Sequence, residues 1–320
     1  MTQYTRFKRI GAKKIGKITH LLIYPVKSCA PMELRSARVT KRGLETISPK
    51  PIRDREYMLV DATPETATRW HKFLTQRDRG LQKMALVTPS VRNDKLELSF
   101  EGQDRIEIPD IVVGKELPVR VHAYRVTGVD QGDQIARMLS DYLNRPIRLV
   151  RASGSFSRST SQHYVKNDNT LSYQDAYSVN WLYEESVAEL QNYLSHEISY
   201  LNFRPNFVAS GGAGNSEHAY YHVRLDGVEG FLLKPSTRCM IPNIDHKNGK
   251  MLNGKRLPLQ VIYENYNWID KDGQRQAIFA ENFLPSNEGK IHKSGEIEVL
   301  SLRDPPLYYG KVRTSSSSRL

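Results

Sequence analysis

The chain has 320 residues, 39% of them hydrophobic, which is enough for two ordinary domains with packed cores. Its two cysteines, Cys29 and Cys239, exclude a disulfide framework, a cysteine-ligated iron–sulfur cluster and a four-cysteine zinc site. The 47 lysines and arginines outnumber the 35 aspartates and glutamates, and the formal net charge of +12 suits phosphorylated ligands or an acidic partner protein.

The basic residues do not follow a nucleic-acid-binding pattern. They are spread along the whole chain without zinc-finger spacing, an aromatic RNA-binding signature or a basic heptad array. No stretch approaches the roughly 18 consecutive apolar residues of a membrane-spanning helix. The sequence therefore predicts a soluble globular protein, with a nucleic-acid module as a minor alternative.

A basic segment opens the chain and lacks the apolar core of a secretory signal, so we expect a disordered tail over 1–16, with a transit peptide as the alternative.

A first domain, rich in β structure, is predicted over 17–147. Alternating apolar and polar residues predict its strands, at 17–25, 35–41, 56–61, 84–88, 95–100 and 117–124.

A helix over 133–145 is predicted to close the first domain. Ile135, Leu139 and Leu143 recur at helical spacing behind a cap at Asp133, and Pro146 ends the pattern.

A second domain is predicted over 148–302. Its helix is indicated by Ser186 and Glu189, a capping-box pair ahead of apolar residues on one face. Short β patterns then recur at 206–210, 220–225, 228–234, 239–244, 259–264 and 296–302. The predicted class is therefore α+β and rich in β structure.

The end of the chain, 303–320, is expected to be disordered, because its last residues, Thr314–Leu320, are small, polar and basic. Its last residues, Ser318-Arg319-Leu320, differ by one conservative change from the peroxisomal address Ser-Lys-Leu. A cytoplasmic location is predicted, with peroxisomal import as the alternative in a eukaryotic source.

The segment Tyr24–Cys29 presents a cation and a hydroxyl together at the end of a predicted strand. Lys27 and Ser28 follow Pro25 in a rigid turn, and a lysine charge beside a serine donor can hold a phosphate. The competing interpretation is a surface lysine in a turn, with Cys29 filling the core.

Arg55 enters a strand that otherwise predicts burial. A charged side chain there needs a partner, either a structural carboxylate or an anionic ligand in a bidentate fork, and the sequence leaves both open. Phe73–Arg77 follows with similar polar residues, and on these grounds alone no role is assigned to it.

Arg204 and Asn206 precede a predicted strand, and the glycines Gly211, Gly212 and Gly214 follow it. Such glycines allow a backbone to approach a ligand closely, although a turn explains them as well. The segment is not a dinucleotide fingerprint, because no helix signal follows the glycines.

Cys239 follows Arg238 in a loop after a predicted strand. A neighbouring cation favours the thiolate, which suits a nucleophile or a ligand for a soft metal. None of the nine histidines stands in a recognisable catalytic motif, and a buried, inert cysteine remains the competing interpretation.

Taken together and in order, these segments resemble the MOSC superfamily, specifically its two-domain members with an N-terminal β domain, such as the amidoxime-reducing molybdenum enzymes. The resemblance runs from about Lys17 to Leu302. Its landmarks are Tyr24–Cys29, Asp54-Arg55, Leu59–Asp61, Phe73–Arg77, Asp175–Tyr177, Arg204–Asn206, Arg238-Cys239 and Asp245–Gly249.

The resemblance implies a MOSC β-barrel after the N-terminal β domain, and a bound molybdenum cofactor (Mo-molybdopterin). Cys239 would be the protein's thiolate ligand to molybdenum, and Asp175 would lie near the metal on the substrate side. The pterin would be bound from the first domain by Lys27, Ser28 and Arg55, and from the second by Arg204, Asn206, Thr237 and Arg238.

The implied reaction is two-electron reduction of N-hydroxylated or N-oxide compounds. No flavin, haem or iron–sulfur motif is visible, so electrons would come from an acidic redox protein, of haem-b or ferredoxin type, with its reductase. The alternative is a sulfur or cofactor carrier without turnover, using Cys239 as a persulfide. Superfamily descriptions also propose pyridoxal phosphate binding, for which no Schiff-base lysine can be nominated.

Some residues depart from the family pattern. Ser178 stands where proline is usual, and Ser236 where cysteine is frequent, but neither is a predicted ligand. The stretch Asn215–Tyr220 differs from the usual acidic and aromatic pattern, which leaves substrate preference open. Phe279–Phe283 matches only loosely.

Overall fold

A computed structural model of the chain describes residues 7–154, 156, 158–160, 166–270 and 273–304. These ranges contain the α-helices α1 (Asp133–Leu143), α2 (Glu184–Gln191) and α3 (Pro258–Asn265). Short 3-10 helices span Gln82–Leu86, Tyr200–Phe203, Ser216–Ala219 and Ile241–Asn243.

The strands of the first half are β1 (Phe7–Ile23), β2 (Met32–Leu34), β3 (Ser36–Thr40), β4 (Gly43–Glu45), β5 (Tyr57–Asp61), β6 (His71–Lys72), β7 (Thr88–Arg92), β8 (Lys95–Phe100), β9 (Gln103–Glu107), β10 (Glu116–Val121), β11 (Tyr124–Asp130) and β12 (Ile147–Ala152). Those of the second half are β13 (Arg158–Ser159), β14 (Thr170–Leu171), β15 (Val179–Tyr183), β16 (Phe207–Ser210), β17 (Tyr220–Leu225), β18 (Val228–Thr237), β19 (Ile244–Asp245), β20 (Lys250–Met251), β21 (Asn267–Ile269), β22 (Arg275–Pro285), β23 (Gly289–His292) and β24 (Glu296–Arg303).

Seven strands close into a barrel in the order β15, β16, β1, β24, β17, β18 and β22, because β22 pairs back to β15. All neighbours are antiparallel except β15 and β16. Inward residues alternate with outward ones along β24, as a strand with one buried face requires. Aromatic side chains fill the interior, where the ring centroids of Trp181 and Phe207 lie 5.3 Å apart.

The other large sheet is open and has the order β5, β12, β11, β10, β6. Helix α1 packs on β12 and buries Ile135, Ala136, Leu139 and Leu143. Of the described helices, none is long and apolar enough to cross a membrane. The predicted class, α+β and rich in β structure with a barrel, is confirmed.

The N-terminal strand corrects part of the predicted tail. Residues 7–16 belong to β1, because Phe7 stacks on Tyr221 at 4.0 Å between ring centroids and Lys14 forms an ion pair with Glu296 at 2.7 Å. Residues 1–6 and most of the predicted tail 303–320 lie outside the described residues, including Ser318-Arg319-Leu320.

Three predicted strands are wrong. Residues 84–88 lie mostly in a 3-10 helix, 239–244 form a loop with a 3-10 turn, and 259–264 lie in α3. In α3, Pro258 occupies a first-turn position, where its missing N–H costs nothing, and Val261 and Ile262 turn inward. Tertiary burial on one face thus prevails over the strand preference of these β-branched residues.

Two predicted helix caps are also wrong. Helix α2 begins at Glu184, so Ser186 is inside it and donates to the buried carboxylate of Glu217 at 3.0 Å. At α1 the cap is Gly132, without a side-chain hydrogen bond, and the helix begins at Asp133.

The glycines after β16 serve packing within the barrel. A Cβ atom on Gly211 would lie 2.9 Å from the Cα of Gly16, and one on Gly212 would lie 2.7 Å from the ring of Tyr183. The close approach that these glycines allow is therefore to protein, which supports the turn interpretation of the sequence.

Candidate functional site

A cleft of about 330 Å³ is lined by both halves of the chain. It is of the size that small-molecule sites occupy. All nine residues predicted as cofactor or catalytic residues line it: Lys27, Ser28, Arg55, Asp175, Arg204, Asn206, Thr237, Arg238 and Cys239. The structure thus brings together side chains that are more than 200 positions apart.

Three of these residues have a left-handed backbone. The φ angles are 67° at Ser28, 51° at Arg55 and 54° at Arg204. Such conformations cost free energy for residues other than glycine, and they concentrate at ligand and active sites. Here they turn side chains into the cleft from three separate loops.

Two arginines stack on one buried tyrosine. The guanidinium carbons of Arg55 and Arg204 lie 4.4 and 4.3 Å from the ring centroid of Tyr24. Arg55 also donates to the buried carboxylate of Asp54 at 2.7 and 2.8 Å. Arg55 therefore has the structural ion-pair partner that the sequence left open, and it lines the cleft as well.

Arg204 is incompletely satisfied. Its Nη1 donates to the carbonyl oxygen of Cys29 at 2.8 Å, but its buried Nη2 has no hydrogen-bond partner in the described part of the chain. Burial and the neighbouring charge of Arg55 lower the pKa of Arg204, with an opposing contribution from Tyr24. An anion in the cleft would supply the missing acceptor and charge.

Lys27, Asp175 and His122 form a second polar group in the cleft. Oδ1 of Asp175 lies 2.5 Å from Nζ of Lys27 and 2.8 Å from Nε2 of His122. The surrounding protein opposes ionisation of Asp175, whose side chain is nevertheless 69% exposed, and the charge of Lys27 with the hydrogen bonds from His122 and Lys27 holds its pKa well below the usual value. Burial lowers the pKa of Lys27, against the attraction of Asp175.

The segment that carries Asp175 is tied down from behind. Nη1 of Arg158 donates to the carbonyl oxygens of Ser172 and Gln174 at 3.1 and 2.8 Å. The side chain of Gln174 donates to the carbonyl oxygen of Asp54 at 2.9 Å, in the other half of the chain. Asp175 is thereby fixed relative to Lys27.

Strand β18 ends at Thr237 and delivers Arg238 and Cys239 to the cleft. Arg238 donates to the carbonyl oxygens of Phe203 and Phe279 at 2.9 and 2.7 Å, and burial lowers its pKa to about 10. Arg238 therefore braces the loop as well as lining the site. Cys239 is partly exposed to the cleft, which suits a ligand or a nucleophile.

Cys29 differs from Cys239 in its burial and its surroundings. Cys29 is fully buried, and burial raises the pKa of its thiol to about 12. It lies in the main hydrophobic core, as a structural cysteine does.

Asn206 is at the site, but protein groups already use most of its hydrogen-bonding capacity. Its Oδ1 accepts from the backbone N–H of Asn180 at 3.1 Å and from Arg55 at 3.3 Å, and its Nδ2 donates to the carbonyl oxygen of Leu22 at 3.2 Å. The geometry makes Asn206 a strut that positions Arg55.

The cleft has further polar lining that sequence reasoning missed, at Thr75, Arg77, His122, Gln174, Asn180, Lys234 and Gln276. Thr75 and Arg77 belong to the Phe73–Arg77 segment, whose polar residues were the available signal. His122 occupies a hairpin turn between β10 and β11, and no local pattern marked it. Within the described ranges, no group of three or more His, Cys, Asp or Glu side chains could hold a metal ion.

The chain is similar in sequence to known proteins. Residues 15–146 match the family described as the MOSC N-terminal beta barrel domain. Mitochondrial amidoxime-reducing component 1 of Mus musculus is 25% identical over 303 residues, 92% of this chain and 85% of the relative. Molybdenum cofactor sulfurase of Bos taurus is 24% identical over 255 residues, 73% of this chain but only 27% of the relative.

Among solved structures, the YuaD protein of Bacillus subtilis covers 93% of this chain and all of its own, with a TM-score of 0.41 and 11% identity, a likeness too weak to bear on the fold. Most of this chain is similar in sequence to amidoxime-reducing components, and about three quarters of it is similar to one part of molybdenum cofactor sulfurases.

Proposed function

We propose that this chain is a member of the MOSC superfamily, that it binds a molybdenum cofactor in the cleft and that it reduces N-hydroxylated or N-oxide compounds. The observation that carries the proposal is the meeting of nine predicted residues, from distant parts of the sequence, around one cleft with a partly exposed thiol. The amidoxime-reducing relatives support the reductase reading of that cleft.

The residues present fit the cofactor. Molybdopterin is anionic and phosphorylated, and Arg204 offers a buried N–H donor that no described protein group satisfies. Ser28 adds a hydroxyl to the lining of the cleft, and Cys239 adds the soft sulfur donor that molybdenum prefers. The cleft thus offers cations and a hydroxyl that would bind a phosphate, and one thiol that would bind a soft metal.

In this reading each group has a distinct task. Cys239 supplies the protein's thiolate to molybdenum, and Arg55 and Arg204 bind the anionic part of the pterin. Arg238 and Asn206 hold the loops that carry these residues. When bound, the cofactor supplies a metal that passes two electrons to the substrate.

The electrons come from outside the chain in this proposal. An acidic redox protein of haem-b or ferredoxin type, with its reductase, is the proposed partner, since opposite charge accelerates encounter with a chain of net charge +12. With an artificial viologen donor the purified protein should turn over, whereas NADH alone should support no reduction. Oxidation of NADH by the pure protein would contradict this part.

A second candidate has support from the sulfurase relatives. In that reading Cys239 carries a persulfide and the protein transfers sulfur or cofactor without reducing a substrate. The same cleft would bind the cofactor transiently. The two candidate functions therefore differ in the state of the Cys239 sulfur, which is a metal ligand in one and a persulfide in the other.

Elemental and pterin analysis of the purified protein separates them. The reductase reading expects molybdenum and pterin in equal amounts, close to one of each per chain, and reduction of an aromatic amidoxime by a viologen donor. The carrier reading expects labile sulfur that a thiol reductant releases, with molybdenum absent. Protein with neither metal, pterin nor labile sulfur would contradict both.

A further inference from the structure

Reduction at this cleft needs protons as well as electrons, and this inference rests on the proposed function. For an N-hydroxylated compound, two electrons and two protons break the N–O bond and give the parent N–H compound and water. One proton goes to the leaving hydroxyl oxygen and the other to nitrogen. The external redox protein supplies the electrons, so the chain must provide a path for the protons.

One histidine reaches into the cleft from the open sheet. His122 occupies the turn between β10 and β11, with a left-handed backbone at a φ of 55°. Its ring packs edge-on against Phe73, at 4.8 Å between ring centroids. A side chain is thus held in a strained turn at the wall of the site, as functional residues often are.

Asp175 fixes the orientation of this ring. Its Oδ1 contacts Nε2 of His122 at 2.8 Å, and Lys27 holds the same oxygen at 2.5 Å. Nδ1 of His122 has no hydrogen-bond partner among the described residues, and the side chain is 38% exposed. A carboxylate that anchors one imidazole nitrogen leaves the other free for proton transfer and stabilises the charged ring.

We infer that His122 is the proton donor of the reaction, held by Asp175, and that its Nδ1 passes a proton to the oxygen that leaves the substrate. Asp175 is then the positioning residue of this pair. Solvent protonates His122 again between turnovers, because the turn opens to the surface.

Other groups in the cleft suit this task less well. The ammonium of Lys27 is held by both Asp175 and the carbonyl oxygen of Tyr173, at 2.8 Å, and its side chain is only 6% exposed, so solvent reaches it less readily than the ring of His122. Arginines such as Arg77 do not release protons near neutral pH. Histidine titrates in that range and is the commonest general acid in enzymes.

The test compares His122→Ala and His122→Asn with the wild type, in amidoxime reduction by a viologen donor. Asparagine keeps a side-chain donor for Asp175 but cannot release a proton. We expect kcat to fall by about a hundredfold in both variants, the scale of lost general acid catalysis, with pterin and molybdenum contents unchanged. Added imidazole should restore about tenfold in His122→Ala.

The chain offers a matched control. His292 contacts Asp226 through Nδ1 at 2.7 Å, with a half-exposed ring that does not line the cleft. His292→Ala should keep the wild-type kcat and show no response to imidazole.

Two results would overturn the inference alone. In one, the wild type reduces the amidoxime and His122→Ala does so equally well. In the other, His122→Ala loses activity only in proportion to lost cofactor and imidazole restores nothing, which makes His122 a structural residue. A wild type that holds no molybdenum and reduces nothing would instead overturn the proposed function, and this inference with it.

Discussion

Two arginines, one buried in the barrel and one partly buried in the cleft, differ in whether the protein completes their hydrogen bonds. Arg303 of the barrel donates to the carbonyl oxygens of His218 and Leu232 and to the carboxylate of Glu281, at 2.6 Å for the last. Arg204 of the cleft has one carbonyl acceptor, a tyrosine ring shared with Arg55, and a buried Nη2 without a partner in the described residues.

The contrast shows how a structural charge can be told from a ligand-binding one. When protein acceptors satisfy a buried cation, the cation helps to hold the folded structure. Removing its partner then lowers the free energy of unfolding strongly. A buried cation left partly unsatisfied, beside another cation, is costly until an anion arrives. Arg303 therefore stabilises the fold, whereas Arg204 keeps hydrogen-bonding capacity for an anion in the cleft.

The largest effect that we expect in the cleft comes from Cys239→Ser. Serine offers only a hard oxygen donor in place of the soft sulfur, so reduction should fall by several orders of magnitude. Bound pterin should remain, because its anionic contacts lie elsewhere. Turnover and metal content are measured on the same preparations.

Cys29→Ala is the internal control for this change. The side chain of Cys29 lies in the core and does not line the cleft, and its contact with Arg204 is made by the backbone carbonyl, so the variant should retain activity and lose about 1 to 2 kcal/mol of stability at most. Full activity of Cys239→Ser with molybdenum still bound would contradict the proposed mechanism.

In the barrel we expect a large loss of stability from Arg303→Met. The change leaves the fully buried carboxylate of Glu281 without its arginine, which costs about 3 to 5 kcal/mol in comparable cases. Urea unfolding measures it. The double variant Arg303→Met, Glu281→Gln should recover part of the lost stability. If Arg303→Met is as stable as the wild type, Arg303 does not stabilise the barrel.

A pH-dependent effect is expected at His246, next to Arg204. Burial and the charge of Arg204 lower its pKa to about 4 from an ordinary 6.5. The unfolded chain therefore binds a proton at higher pH than the folded one, and the stabilising contribution is complete above pH 6.5 and disappears as the pH falls to about 4. The full contribution is roughly 3 kcal/mol.

The measurement is the free energy of unfolding between pH 7 and pH 4 for the wild type and His246→Asn. The variant should lose less stability over this range. Arg204→Met should also flatten the wild-type profile, because it removes one of the two causes. Parallel profiles for wild type and His246→Asn would show that folding leaves the pKa of His246 unchanged.

The smallest effect on folding is expected for Arg204→Met. The variant loses one hydrogen bond to the carbonyl oxygen of Cys29 and gains relief from the neighbouring Arg55, so cofactor-free protein should change by less than about 1 kcal/mol. Pterin retention should fall by about tenfold, the loss of one charged contact.

Arg55→Ala is the contrasting variant. Arg55 is the ion-pair partner of the buried Asp54, so its removal should lower both stability and pterin content. A variant Arg204→Met that unfolds as readily as Arg303→Met would place both arginines in the structural class.

The sequence predicted the cleft better than it predicted the elements around it. Lys27, Ser28, Arg238 and Cys239 stand in short motifs whose order along the chain carries a family resemblance, and the four residues all line one cleft. His122 has no motif, because it reaches the site only through the pairing of β10 with β11.

The wrong predictions of secondary structure also arise from contacts between distant parts of the chain. Residues 258–265 form a helix because Val261 and Ile262 are buried together on one face, which depends on the strand that covers them. Residues 7–16 form a strand because Glu296 and Tyr221, far along the chain, provide partners for Lys14 and Phe7. Long-range contacts of this kind leave no local pattern to detect.

The pairing of β1 with β24 also sets the order of events during synthesis. The two strands are roughly 270 residues apart, so at 5 to 20 residues per second β1 waits about 15 to 55 seconds on the ribosome for its partner. During this interval one edge of β1 is unpaired and exposed to other chains. The run of basic residues along its exposed part, including Lys8, Arg9, Lys13 and Lys14, protects the nascent strand by charge repulsion.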